Sequence, residues 1–108
     1  MKIKVLIVEP EKAPRLAEIE NTLDAMQEVV GGLIQPVKPL QFKDDAVIVC
    51  NEEGKLLDLQ PNAYLCDENG IPYDVVCGTF FICRAPVDSE DFESLTDEQI
   101  NDYFWMYA

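Results

Sequence analysis

The stretch "VVCGTFFIC" (75–83) constrains the fold of this chain more than any other. In an extended conformation, Val75, Cys77, Thr79, Phe81 and Cys83 share one face, and Val76, Gly78, Phe80 and Ile82 the other. Both faces are largely apolar, so the strand needs cover on both sides and belongs at the centre of a sheet. A chain of 108 residues can build one modest core around such a strand. The expectation is therefore one small α+β domain over residues 1–108, with about five to six mostly antiparallel strands and two helices.

The remaining elements follow from periodicity and turn chemistry. "KIKVLIVE" (2–9) reads as a strand, and "RLAEIE" (15–20) alternates well enough to be its hairpin partner. Asn21 is a candidate N-cap for a helix over 22–30, where Leu23, Met26, Val29 and Val30 form one apolar face. Gly31-Gly32 then supply a helix stop. Pro36 and Pro39 restrict "LIQPV" (33–37) to an edge or irregular strand. "DAVIVCN" (45–51) is a strand, with "NEEGK" (51–55) as the turn leading to a hairpin partner in "LLDL". Pro61-Asn62 marks a loop, and "DENGIPYD" (67–74) contains an Asn-Gly turn.

The segment 88–108, "DSEDFESLTDEQINDYFWMYA", holds seven acids and no base. Part of it is helix grammar. Thr96 and Gln99 form a capping box, and Asp97 and Glu98 complement the positive end of the helix dipole. Ile100, Tyr103, Phe104 and Tyr107 recur at helical spacing and give the helix an apolar face to dock. Asp88, Glu90, Asp91 and Glu93 precede the cap and have no such explanation. Together with Asp97 and Glu98 they form a candidate partner surface.

Charge separates the function classes. Lys and Arg number 8 against 21 acids, a net charge of −13, and Arg84 is the one base after Lys55. A surface this negative repels phosphate backbones, which speaks against direct nucleic-acid binding. Histidine is absent, which removes the commonest general base and metal ligand. Cys50, Cys66, Cys77 and Cys83 contain no C-x-x-C pair, so zinc spacing is missing. Read as parts of one strand, Cys77 and Cys83 stand about 20 Å apart, too far for a disulfide. The pairs Asp44-Asp45, Glu52-Glu53 and Asp67-Glu68 fall in turns or strand ends, where solvated acids are the rule. No phosphate-binding glycine loop and no regular calcium loop is present. The expectation is a non-enzymatic protein with no cofactor and no bound metal. Asn51, Glu52, Glu53 and Asn62 form a candidate ligand loop. No apolar run is long enough for a membrane span and the N-terminus lacks a signal-peptide pattern, so the cytoplasm is the expected location.

"MKIKVLIVEP", "LDAMQEVVGGLI", "VCNEEGKL", "PNAYL", "YDVVCGTFFIC" and "DFESLTDEQI" occur together and in order. In this the chain resembles the domain-of-unknown-function family three-eight-four-six. The resemblance implies a small protein of phages, plasmids and conjugative elements, and it brings no catalytic residues. The function expected is an accessory protein that binds a basic protein partner and inhibits a host DNA-binding or defence protein by charge mimicry. Two alternatives stay open. One is a small-ligand binder, for instance of a nucleotide; the other is a structural protein acting as a dimer. The chain is expected to be a monomer or a homodimer.

Overall fold

A computed structural model describes residues 1–108. Seven strands and two helices follow in the order β1 (Lys2–Val8), β2 (Arg15–Glu20), α1 (Leu23–Val30), β3 (Ile34–Val37), β4 (Ala46–Asn51), β5 (Pro61–Cys66), β6 (Pro72–Cys77), β7 (Phe80–Arg84) and α2 (Asp97–Tyr107). Five strands make one antiparallel sheet in the order β2-β1-β7-β4-β3, and β5-β6 form a separate hairpin. The fold is α+β, as expected. No helix is long and apolar enough to cross a membrane.

Strand alternation builds two cores, one on each face of the large sheet. Ile3, Val5 and Ile7 of β1, Val47 and Val49 of β4, and Phe81 and Cys83 of β7 face α1, where Met26 and Val30 complete the cluster. The alternate residues Leu6, Val8, Ala46, Ile48, Cys50, Phe80 and Ile82 face the other way. Leu65 and Val76 of the β5-β6 hairpin and Tyr103 of α2 cover them. The central three strands are thus buried on both faces, which is what the continuous apolar runs in β1, β4 and β7 require.

The strand expected over 75–83 is in fact two strands. β6 ends at Cys77 and β7 begins at Phe80, in different sheets, because Gly78 adopts φ +87° and turns the chain. The amide of Gly78 donates to the carbonyl of Gln60 at 2.7 Å, which fastens the break to the approach of β5. The period-2 apolar pattern continues across the break, so periodicity alone conceals it.

Two further expectations are corrected. "LLDL" (56–59) is not a strand. Leu57 N–H donates to the Glu53 carbonyl and Leu59 N–H to the Gly54 carbonyl, which closes helical turns, and Asp58 has φ +55°. The hairpin instead joins β5 and β6, and "PNAYL", read as a loop, lies within β5. The merged strand and the unread β5 explain why seven strands exceed the five to six expected.

Local caps refine the helices. α1 is capped by Thr22, whose Oγ1 accepts from the Ala25 amide, rather than by Asn21. Gly31 closes it with φ +79°. The capping box of α2 forms in full: Gln99 N–H donates to Thr96 Oγ1 at 3.1 Å, and Thr96 N–H to Gln99 Oε1 at 3.0 Å. Ile100, Phe104 and Tyr107 pack on the core beside Tyr103, as the helical spacing predicts.

Candidate functional site

The acidic segment enters the fold by way of the sheet. Beyond β7, Arg84 and Glu93 exchange both main-chain hydrogen bonds at 2.9 Å. The Lys4 amide then donates to Ser94 Oγ at 2.9 Å, and the Leu95 amide to the Lys4 carbonyl at 3.0 Å. Residues 93–95 therefore bond to β7 and β1 in turn. Phe92 packs into the α1-side core and Leu95 into the opposite one. Asn21, freed from capping, donates its Nδ2 to the Phe92 carbonyl at 3.1 Å.

This anchoring sorts the candidate acids. Asp88, Glu90 and Asp91 are exposed on the excursion between Arg84 and Glu93. Asp97 and Glu98 are exposed on the first turn of α2, and Asp102 is exposed one turn beyond Glu98. Trp105, 69% exposed, continues the same ridge. Glu93 differs. Half-buried, it directs Oε1 toward Nη1 of Arg84 at 3.7 Å.

Arg84 is held from two sides. Its Nε lies 3.3 and 3.1 Å from the two carboxylate oxygens of Asp45, and its Nη2 is 3.1 Å from Asp45 Oδ2. Gln99 Nε2 donates to Asp45 Oδ1 at 3.0 Å. Next to it, Asp44 Oδ1 accepts from the Tyr103 hydroxyl at 2.7 Å and from the Ala46 amide at 2.9 Å. The two adjacent acids thus serve different partners, and both tie α2 to the start of β4. The Arg84 hydrogen bond holds the Asp45 carboxyl below its ordinary pKa, and Asp45 in turn raises Arg84. For Asp44, burial pushes upward, but the bonds from Tyr103, Ala46 and Gln99 prevail and lower it. Burial and the Asp44 carboxylate raise Tyr103. In the sequence, Asp44-Asp45 has the look of a solvated turn pair. The missing signal is long-range, since Arg84 and Gln99 are 39 and 54 positions away.

The candidate ligand loop does not form one site. Asn51 is buried; its Nδ2 donates to the Val30 carbonyl at 3.3 Å and its Oδ1 accepts from the Glu53 amide at 2.8 Å. It locks the end of α1 to the turn after β4. Gly32 makes room for it, because a Cβ there would stand 2.8 Å from Asn51 Nδ2. Asn62 donates its Nδ2 to the carbonyls of Val8 and Gly78, each at 2.9 Å. It borders a separate hollow with Lys12 and Tyr107. Glu52 and Glu53 are exposed, and Asn51 and Glu52 together line a cleft of about 410 Å³ beside β6, away from Asn62.

Among the thiols, burial raises Cys50 and pushes Cys83 up to about 12, so both stay protonated at neutral pH. All four cysteines are free, and no group of three or more Cys, Asp or Glu side chains is placed to share a metal ion.

A family model described as Domain of unknown function (DUF3846) matches residues 1–108. The chain belongs to this family. No curated protein and no solved structure matches it. In this DUF3846 protein the exposed acids stand in two groups: Glu90 and Asp91 beside the start of α1, and Glu98 and Asp102 on α2, next to the Arg84, Asp45 and Gln99 cluster.

Proposed function

We propose that the protein is a non-catalytic binding module whose exposed acids over residues 88–102 dock on a basic, nucleic-acid-binding surface of a partner protein and block it by charge mimicry. The observation that carries this reading is the disposition of Arg84. It is the one base in residues 56–108, and it is turned onto Asp45 and Glu93. Asp88 still feels the charge of Arg84, but the exposed acids Glu90, Asp91, Asp97, Glu98 and Asp102 are left without a cation from their own half of the chain. Uncompensated charge on a mounted surface steers a partner of opposite sign. Trp105 at the end of the ridge offers the aromatic anchor that binding surfaces favour, and its ring is a natural platform for an arginine. The mobile-element setting, with a host defence or DNA-binding protein as target, belongs to the same proposal.

The test is displacement. The tagged protein is incubated with bacterial lysate at about 50 mM salt, where charge attraction acts over more than ~10 Å. Basic proteins retained should be released by excess duplex DNA and by raised salt. Retention that duplex DNA leaves untouched would overturn the mimicry.

A further inference from the structure

The cleft of about 410 Å³ lies between the β3-β4 end of the sheet and the β5-β6 hairpin. Val37, Leu65 and Val76 give it an apolar floor, and Cys50 and Gln35 add softer polar atoms. Its size falls in the range of small-molecule sites, roughly 300–1,000 Å³. Its charged groups are Glu52, Asp74 and Lys55. The ammonium of Lys55 is bonded to Asp74 Oδ1, which also accepts the Val75 amide at 2.8 Å.

We propose that this cleft binds a small organic cation, an alkylammonium or guanidinium with a short apolar body, whose charged head replaces Lys55 on Asp74. Three observations converge on that ligand. The Lys55 ammonium already occupies the position a ligand cation would take, borne on a flexible exposed stem that can swing away. With Lys55 engaged, the free charge at the cleft is the Glu52 carboxylate, and the whole chain carries −13, so an anion is repelled. The apolar floor beneath the ion pair suits methylene groups rather than a second charge. Lys55 then acts as a built-in competitor that lowers the apparent affinity.

The experiment is a titration of ¹⁵N-labelled protein with n-butylguanidine, n-pentylamine and, as the anionic control, AMP. Butylguanidine and pentylamine should shift the amides of Lys55, Val75, Val76 and Cys77 along saturable curves, and AMP should not. Lys55→Ala removes the competitor and should tighten butylguanidine binding about fivefold or more. Asp74→Asn should abolish the shifts, with its amide spectrum serving as the check on folding. Saturable shifts with AMP alone, amine shifts that never saturate, or an unchanged affinity in Lys55→Ala would each overturn the proposal.

Discussion

Asp45 Oδ2 lies 3.1 Å from both Nε and Nη2 of Arg84, so the guanidinium meets this carboxylate edge-on. The pair joins the start of β4 to the end of β7, and Gln99 extends it to α2. Asp45→Asn keeps the shape and removes the charge. The side chains of the pair are 31% and 26% exposed, so water weakens the interaction, and a loss of about 1–2 kcal/mol is expected. Urea unfolding measures it. An unchanged midpoint would show that the pair contributes no net stability.

The same carboxylates predict the acid limb of the stability profile. Asp44 and Asp45 have lowered pKa values in the folded chain, so their contribution is present above the ordinary aspartate value of about 3.9 and disappears as pH falls through the folded values. Melting temperature should hold down to about pH 4–5 and then drop, with a shallower drop in Asp45→Asn. At the alkaline end, Tyr103 and Tyr107 are raised, so folding loses support as pH climbs past the ordinary tyrosine value of about 10. Tyr103→Phe should cost about 1 kcal/mol at neutral pH, by freeing the acceptor on Asp44, and should reduce the alkaline loss. An alkaline limb of undiminished slope would contradict this.

Gly54 and Gly78 differ in what a side chain would meet. A Cβ on Gly54 would stand 2.7 Å from the Cys77 carbonyl oxygen, and backbone cannot step aside cheaply. On Gly78 it would meet the flexible Leu59 at the same distance, and φ +87° adds strain. Both Ala variants should be destabilised, Gly78→Ala by about 1–2 kcal/mol. Gly70→Ala, with open space and φ +80°, should cost less. Thermal unfolding of the three variants gives the order, and equal losses would refute the steric account.

Thiol reactivity should follow burial. Cys66 and Cys77 are partly exposed, whereas Cys50 and Cys83 are buried and raised. Ellman's reagent should label the first two in the folded protein and all four only in denaturant. Prompt labelling of Cys83 would mean that β7 opens readily.

Much of this fold is written locally. The β1-β2 hairpin, the Gly31 stop and the Thr96–Gln99 capping box are short-range patterns, and each appears where the residues place it. What eluded sequence reading depends on partners far along the chain. Gly78 sits in an unbroken apolar alternation, so only its docking against Gln60 and Asn62 reveals the strand break. Asn62 looks like a turn residue yet supplies two carbonyls with a donor. Asn62→Ala should therefore cost about 1–3 kcal/mol, and a neutral result on calorimetry would remove it from the scaffold. In the acidic segment, sequence could separate cap acids from uncapped ones, but not the half-buried Glu93 on Arg84 from its exposed neighbours.

The exposed acids of 88–102 have two roles to separate, helix capping and partner contact. The direct measurement compares two neutralised sets. Asp97→Asn with Glu98→Gln should lower stability by roughly 0.3–1 kcal/mol per acid, through loss of the dipole interaction. Glu90→Gln with Asp91→Asn should leave the melting temperature nearly unchanged. Each set is then used to capture partners from lysate at low salt, alongside the unaltered protein. If the acids act as a contact surface, Glu90→Gln with Asp91→Asn weakens capture of the basic partner while folding is intact. Full capture by that variant, with the same proteins retained at high salt, would contradict it.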